Sequence, residues 1–205
     1  MKFERKDYHH NNINVYTLAY EDFDPSIYID HLTTIEKERY FTFKHLQRKQ
    51  EFVATRLLRH EVIGFEHIHY DEVGAPYINR EGYISISHTK NLVGFAFSKD
   101  FKVGLDLEKI QDKITTIKHK FISEKEKLIF DTSSSTELTK IWSSKETLYK
   151  LSGQKGLNFR TQLEIDKKEE HWIGEIITLE KKESACLKII NTDNTIITFN
   201  ITACE

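Results

Sequence analysis

Alternating and helical patterns of apolar residues outline the first half of the chain. Residues 13–18 alternate apolar and polar side chains, which predicts an opening strand. Thr33 and Glu36 have the spacing of a capping box, so we expect a helix to begin after Thr33. The pattern over residues 48–63 predicts a second helix, and Gly64 supplies its stop.

The pattern then changes to the two-residue period of a sheet. Residues 77–88 and 92–97 predict two strands around a turn at 89–91. Residues 102–107 predict a further strand that continues this sheet.

The second half also combines helices and strands. Ser123 and Glu126 form another capping-box pair, at the start of a predicted helix. A longer helix is predicted over residues 136–151 and ends at Gly153. Strand-like runs follow at residues 172–173, 176–179, 187–190 and 195–201.

This order of elements favours an α+β fold over a doubly wound sheet, because strands and helices are segregated rather than alternating. The chain has 205 residues, which is enough for one large domain or two small ones. We expect two α+β halves, residues 1–103 and 104–205, each with its own helices and a small sheet.

Composition narrows the classes of function. The formal net charge is -2, so no strong field attracts nucleic acid or a membrane surface. No run of about 18 apolar residues exists, and the N-terminus lacks the pattern of a signal peptide. The two cysteines, Cys186 and Cys204, have neither a metal-ligand nor a redox spacing. A cytoplasmic protein is therefore expected, although two cysteines leave a disulfide open.

Two carboxylates end the strand predicted before residue 108. Asp106 and Glu108 are two residues apart, so both should face the same side of that strand. Magnesium takes oxygen ligands of this kind, usually one or two carboxylates with phosphates and water. The alternative is a solvated strand end, which an apolar run before Asp106 makes less fitting.

A second charged cluster lies on the helix predicted over residues 136–151. Trp142, Glu146 and Lys150 follow one another at four-residue intervals and share one face. Such a carboxylate can complete a metal site, act as a base or join a surface ion-pair ladder. Between the clusters, residues 85–90 offer hydroxyls, a histidine and a lysine, which suit either a phosphate contact or an ordinary hairpin turn.

With these segments in view, the chain resembles the 4′-phosphopantetheinyl transferases, and specifically their larger, monomeric, surfactin-synthetase-activating type. Residues 104–108 match the family segment Gly-(Ile/Val)-Asp-(Ile/Val)-Glu. Residues 142–150 match Trp-Ser-x-Lys-Glu-(Ala/Ser)-x-x-Lys, with threonine at the small position. Residues 85–89 match Asn-(Ile/Leu)-Ser-His-Ser, residues 74–76 resemble Gly-Lys-Pro, and residues 153–157 resemble a Gly-x-Gly-Leu loop with one extra residue.

The resemblance implies a reaction and a fold. The enzyme would move the phosphopantetheine arm of coenzyme A to a serine of an apo acyl or peptidyl carrier protein. Adenosine 3′,5′-bisphosphate would be the other product, and Mg²⁺, or alternatively Mn²⁺, would serve as the metal. The fold would be two similar α+β halves in a monomer, with coenzyme A in the cleft between them.

The resemblance also implies roles for individual residues. Asp106, Glu108 and Glu146 would bind the metal, which would neutralise charge on the pyrophosphate. Glu146 is also the candidate base for the carrier serine, directly or through water. Lys150 would hold the pyrophosphate as a point charge. Ser87 and His88 would contact coenzyme A phosphates, whereas the resemblance gives Lys145 no defined role.

The chain departs from the family pattern at three places. Ala75 replaces a lysine, so one phosphate contact is missing, and Ser85 replaces an asparagine, which we expect to loosen the turn. The cations expected to hold the 3′-phosphate are not cleanly matched. Lys44, Arg48 and Lys49 are the candidates for that contact.

Several further residues allow two interpretations. Glu126 aligns with a family glutamate near the metal but is also explained as the partner of Ser123 in the capping box. Arg56 and Arg59, on one stripe of the second predicted helix, can reach an anion or extend to water, and we favour water. A pair of histidines, His67 and His69, is better explained as a polar strand edge than as a metal site.

A basic stretch before the second-half helices suggests a partner surface. Under the resemblance, Lys118, Lys120 and Phe121 form a candidate dock for an acidic carrier protein, with the phenyl ring as an apolar contact. The alternative is a solvated basic segment.

Two other functions compete with transfer. One is another magnesium-dependent enzyme that cleaves phosphodiesters with the same carboxylates. A nuclease is disfavoured by the near-neutral charge. The other is a non-catalytic homologue that binds coenzyme A, which would be expected to lose acids of the metal set.

Overall fold

The computed structural model describes residues 3–192 and 194–202, so Cys204 lies outside the described residues. It contains eleven strands and five α-helices in that part of the chain, with 3₁₀ turns at Pro25–His31 and Lys118–Lys120. The helices are α1 (Thr34–Thr42), α2 (Leu46–Ile63), α3 (Ile114–Ile117), α4 (Glu126–Ile129) and α5 (Ser135–Ser152). The strands are β1 (Phe3–His10), β2 (Ile13–Tyr20), β3 (His69–Tyr70), β4 (Pro76–Tyr77), β5 (Tyr83–Thr89), β6 (Leu92–Ser98), β7 (Leu105–Lys109), β8 (Leu163–Lys168), β9 (His171–Ile177), β10 (Lys182–Thr192) and β11 (Thr195–Ile201). The mixture of helices and antiparallel sheets agrees with the predicted α+β class.

The first sheet is antiparallel and has the strand order β1-β2-β6-β5. Helix α2 packs on one of its faces, and the core between them includes Leu18, Phe52, Leu58 and Phe95. The opening strand predicted at residues 13–18 is confirmed as β2. The single strand predicted over residues 77–88 is wrong, because the chain forms the short β4, turns, and enters β5 only at Tyr83.

The capping box at Thr33 is confirmed, since its side chain accepts from the Glu36 N–H and the Glu36 carboxylate accepts from the Thr33 N–H. The Glu36 carboxylate also pairs with Arg56 at 3.1 Å and with Arg59 at 3.3 Å, and all three side chains are buried. The expectation that these arginines extend to water is therefore wrong. They are held by a buried carboxylate, and removal of that charge would leave two cations uncompensated.

The second sheet is also antiparallel, with the order β7-β11-β10-β9-β8. Helix α5 packs on one face of it over a core that includes Leu138, Ile141, Leu163 and Ile176. The predicted continuation of the first sheet through residues 102–107 is wrong. That segment becomes β7, an edge strand of the second sheet that pairs with β11.

The edges of the two sheets meet along β5 and β7 through side chains. The Leu105 N–H donates to Ser85 Oγ at 3.0 Å, and the Leu107 N–H donates to Ser87 Oγ at 3.1 Å. Two serine hydroxyls thus take the place of the carbonyl acceptors that a neighbouring strand would supply. Ser85 lies buried within a strand, so the expectation that its substitution loosens a turn is wrong.

A third core fills the space between the sheets, with Ile13 and Ala96 from the first sheet and Leu107 and Phe199 from the second. The strands of the first sheet all precede residue 99, and those of the second begin at Leu105.

None of the helices in the described part of the chain combines the length and the apolar character that a membrane crossing requires.

Helix α5 lies unusually close to the start of β7. A Cβ atom added to Gly104 would overlap the backbone carbonyl oxygen of Thr147. The helix ends as predicted at Gly153, whose φ of 64° is left-handed and favours glycine. This close approach brings the charged face of α5 against the carboxylates of β7.

Candidate active site

The site is centred on Asp106 of β7. Its Oδ1 accepts hydrogen bonds from Ser87 Oγ at 3.1 Å and from Lys150 Nζ at 2.9 Å. The Lys150 ammonium also donates to the Leu105 carbonyl at 2.7 Å and to Ser87 Oγ at 3.2 Å. Ser87 lies on β5 of the first sheet, whereas Asp106 lies on β7 of the second sheet and Lys150 on α5, which packs on that sheet. Three elements therefore meet at this point. The structure thus brings together three residues that were predicted from separate motifs.

The second oxygen of Asp106 has no such partner. Asp106 is only 5% exposed, and its Oδ2 is buried without a hydrogen bond among the described residues. A buried carboxylate oxygen that lacks a donor is costly. This oxygen is therefore available to a cation.

Two further carboxylates, those of Glu108 and Glu146, lie near Asp106. Glu108 shares its face of β7, which is turned towards α5, and Glu146 projects from the half-buried face of α5. Burial raises the pKa of Glu146 to about 7, and the charge of Asp106 adds to this effect while Lys150 opposes it. Burial and Asp106 also raise the pKa of Glu108, whereas the Trp142 side chain and Lys113 lower it. The site therefore concentrates negative charge in a partly desolvated place.

The carboxylates around Asp106 are the candidates for a magnesium site. Among residues 3–192 and 194–202, no three His, Cys, Asp or Glu side chains form a group arranged to hold a metal ion. The donor chemistry nevertheless fits magnesium, which commonly takes one or two carboxylates and completes its shell with phosphate and water. Asp106 Oδ2 and the protonation-prone Glu146 are the groups that a cation would stabilise.

Lys145 and Glu126 lie inside the second half and form a fully buried ion pair with a distance of 2.8 Å. The Lys145 ammonium also donates to the carbonyls of Phe121 at 2.6 Å and Phe159 at 2.8 Å. Burial lowers the pKa of Lys145, and Glu126 opposes this effect. All three ammonium hydrogens thus have acceptors, and the side chain is 0% exposed, so a substrate cannot reach it.

The Glu126 carboxylate is also fully occupied by donors within the protein. Its oxygens accept from the backbone N–H of Ser123 at 2.8 Å and of Ile165 at 2.8 Å, in addition to the lysine. The Ser123 hydroxyl in turn accepts from the Glu126 N–H, so the capping interaction is formed. Of the two interpretations of Glu126, these contacts support the cap and the internal ion pair.

A group of cations lies beside the carboxylates, on the side of the first sheet. His88 follows Ser87 on β5, and its Nε2 lies 2.9 Å from Arg48 Nη1 of α2. Burial lowers the pKa of His88, and the charges of Arg48 and Lys150 add to this effect while Glu51 opposes it. The structure therefore brings two of the predicted phosphate contacts together.

The other two candidate cations lie differently. Lys44 is exposed before the start of α2. Lys49 points to another side of that helix, where its Nζ lies 4.9 Å from the centre of the Tyr40 ring. Neither is joined to the cluster formed by Arg48 and His88.

A cavity of about 210 Å³ adjoins this site between β5 and the C-terminal end of α5. Its walls include the turn at Gly74 and Ala75, the side chain of Lys150 and the segment after α5. Lys155 of that segment donates to the Glu72 carbonyl at 2.6 Å, which joins the two sides of the cavity. The motifs predicted at residues 74–76 and 153–157 thus line one pocket next to Lys150.

The predicted docking residues fall in two environments. Lys120 is exposed, and Lys118 is half-buried with its ammonium donating to the Thr132 carbonyl at 2.8 Å. Phe121 is fully buried and packs edge-on against Trp142. It is therefore excluded as a surface contact in this conformation, and Leu128, which is 89% exposed, is the nearby apolar side chain at the surface.

The histidine pair has ordinary partners. His67 Nδ1 lies 3.0 Å from Thr33 Oγ1, and His69 Nε2 lies 2.9 Å from Asn79 Nδ2. His69 belongs to the short strand β3, which agrees with the predicted polar strand edge.

One charged residue beside the site was not predicted. Glu51 is buried on α2 and contacts both Arg48 and His88. Its three-residue spacing from Arg48 was the available signal, but that spacing is common in exposed helices.

Residues 102–199 match the family model described as the 4′-phosphopantetheinyl transferase superfamily. A domain of this superfamily is therefore present in the chain, which indicates phosphopantetheine transfer in general. Asp106, Glu108, Glu146 and Lys150 lie inside the matched segment, whereas Arg48, Ser87 and His88 lie outside it. No curated protein shows significant similarity to the chain.

Proposed function

We propose that the protein transfers 4′-phosphopantetheine from coenzyme A to a serine hydroxyl of an apo acyl or peptidyl carrier protein and releases adenosine 3′,5′-bisphosphate. The observation that carries this proposal is Asp106, whose one oxygen is tied to Lys150 and whose other oxygen is buried and unpaired. This residue lies in the segment that matches the superfamily.

The proposed metal is Mg²⁺, with Mn²⁺ as an alternative for the same hard oxygen donors. Asp106, Glu108 and Glu146 would hold it. When bound, such an ion neutralises charge on the pyrophosphate of coenzyme A and on the leaving phosphate.

The protein's own side chains would position the reactants. Lys150 is oriented by Leu105 and Asp106, and its side chain is 28% exposed. Its ammonium would exchange the longer 3.2 Å bond to Ser87 for a pyrophosphate oxygen. Arg48 and His88 supply further donors for phosphate. Glu146 is also the proposed acceptor of the carrier serine proton, directly or through water.

We further propose that the chain acts as a cytoplasmic monomer of the larger, surfactin-synthetase-activating type, with two similar halves. In support, the candidate residues come from both sheets of one chain, so no second copy is needed to assemble them. The cavity between β5 and the C-terminal end of α5 is the proposed place for coenzyme A.

Incubation of the protein with coenzyme A, Mg²⁺ and an apo carrier protein tests the proposal by mass spectrometry of the carrier. The carrier should gain the mass of one phosphopantetheine, and Asp106→Asn should abolish the gain. Glu61→Gln, which alters an exposed carboxylate on α2, serves as a matched control and should retain it. Cleavage of simple phosphodiesters without carrier modification would favour the rival hydrolytic function, and binding of coenzyme A without either reaction would favour a non-catalytic homologue.

A further inference from the structure

Glu51 is an acidic residue whose burial the core does not explain. Its side chain is only 8% exposed, although it lies in the first half of α2 beside polar residues. The Gln47 amide donates to its Oε1 at 3.1 Å, and Arg48 Nη1 donates to its Oε2 at 3.1 Å. The Nδ1 atom of His88 lies 3.6 Å from the same Oε2. One buried carboxylate thus connects α2 with the end of β5.

The contacts of the His88 ring define which nitrogen carries the proton. Arg48 Nη1 can only donate, so His88 Nε2, at 2.9 Å, must accept. In the neutral ring the proton is therefore on Nδ1, which faces Glu51. The Glu51 carboxylate lies 3.6 Å from this Nδ1, so its charge favours that tautomer.

The surroundings of His88 act on its protonation in both directions. Burial, Arg48 and Lys150 disfavour a protonated ring, whereas Glu51 and Asp106 favour it. A phosphate oxygen that approaches Arg48 would be held best by a His88 ring protonated on both nitrogens. On protonation Nε2 no longer accepts from Arg48 and can donate to the phosphate, which Arg48 also contacts. Glu51 can then accept from Nδ1, an arrangement comparable to a carboxylate behind a metal-binding histidine.

We propose that Glu51 is a positioning residue that holds Arg48 and His88 as one unit for binding a phosphate group of coenzyme A. The inference rests on the proposed function, because it takes coenzyme A as the ligand. In this proposal Glu51 does not touch the ligand and acts through Arg48 and His88. An exposed helical ion pair would not have this role, but Glu51 is buried and joins two elements.

The test compares Glu51→Gln with Glu61→Gln, since both remove one charge from the same helix and Glu61 is exposed and pairs with Arg5. Titration calorimetry should show about tenfold weaker coenzyme A binding for Glu51→Gln, the loss expected for one charge-assisted contact. In the transfer assay the KM for coenzyme A should rise by a similar factor, with kcat and the KM for the carrier nearly unchanged. Glu61→Gln should behave as the wild type in all of these measurements.

The ring nitrogen chemical shifts of His88 give a readout that a purely structural role would not move in this way. At alkaline pH the wild type should show the proton on Nδ1, and Glu51→Gln should show a mixture of both tautomers. Unchanged coenzyme A binding and an unchanged tautomer in Glu51→Gln would overturn the inference. If wild-type protein binds coenzyme A and Glu51→Gln binds it more weakly, yet no carrier is modified, the inference holds and the proposed transfer fails. If wild-type protein does not bind coenzyme A, both are overturned.

Discussion

Replacement of Lys145 with methionine removes one charge of the fully buried ion pair with Glu126 and leaves the other in place. Methionine keeps much of the volume of the side chain but donates no hydrogen bond. The Glu126 carboxylate would keep the N–H groups of Ser123 and Ile165 but lose its counter-ion. The carbonyls of Phe121 and Phe159 would lose their donor as well.

The size of the effect follows from the burial of both partners, which are 0% exposed. Breaking a buried pair by removing one partner costs about 3–5 kcal/mol, because an uncompensated charge remains inside the protein. A domain has a free energy of unfolding of about 5–15 kcal/mol, so this loss is a large share of it. The double variant Lys145→Met with Glu126→Leu should lose clearly less than the sum of the two single losses, with a coupling of about 2 kcal/mol or more.

Urea unfolding followed by tryptophan fluorescence measures these losses, because Trp142 lies on the same helix as Lys145. Lys127→Met is the matched control, since Lys127 pairs with the exposed Glu124, and it should change stability by less than about 1 kcal/mol. The reasoning would be refuted if Lys145→Met lost no more stability than Lys127→Met. Loss of transfer activity with full stability would instead assign Lys145 a direct part in the reaction.

Three further changes test the geometry of the site. The pKa of Glu146 is raised from 4.5 to about 7, so the folded metal-free protein loses stability as pH rises through that range, by at most about 3 kcal/mol. Glu146→Gln should remove this pH dependence, which thermal melts at several pH values measure. Gly104→Ala should push α5 away from β7, since the added methyl group meets the Thr147 carbonyl, and should cost about 1–3 kcal/mol in urea unfolding together with a lower kcat. Ser87→Ala leaves the buried Leu107 N–H without its acceptor and should cost about 1–3 kcal/mol, with lower transfer activity.

Each of these has a contrary outcome. An unchanged pH dependence in Glu146→Gln would show that another group titrates there. Wild-type stability of Gly104→Ala would show that α5 and β7 are not in close contact. If Ser87→Ala and the exposed control Ser133→Ala changed stability equally, the contact between β5 and β7 would not depend on the Ser87 hydroxyl.

Local signals explain which parts of the fold were predictable. The capping box at Thr33 and the glycine after α2 mark helix ends through contacts within a few residues, so sequence spacing reveals them. The strand β1, in contrast, was not predicted, because most of its residues are exposed at the edge of the first sheet and lack an apolar alternation. Its pairing with β2 supplies the order that its composition does not indicate.

The residues of the site likewise differ in how far the sequence could predict them. The carboxylates Asp106 and Glu146 were predicted from motifs, and their environment was open until the fold brought Lys150 against Asp106. The roles of Lys145 and Glu126 depend on a contact across 19 positions, which no local spacing reports. The burial of Phe121 is likewise a consequence of packing against Trp142, and a basic sequence around it gave the opposite expectation.

The central claim is that one chain assembles a metal-dependent site for coenzyme A from β5, β7 and α5. Its most direct test is a crystal structure with coenzyme A and Mn²⁺, in which anomalous scattering locates the metal. The account predicts a manganese ion bound to Asp106 Oδ2 and the pyrophosphate of coenzyme A, with Lys150 on a phosphate oxygen. Coenzyme A bound away from Asp106, or a metal ion that leaves the Asp106 carboxylate uncoordinated, would contradict it.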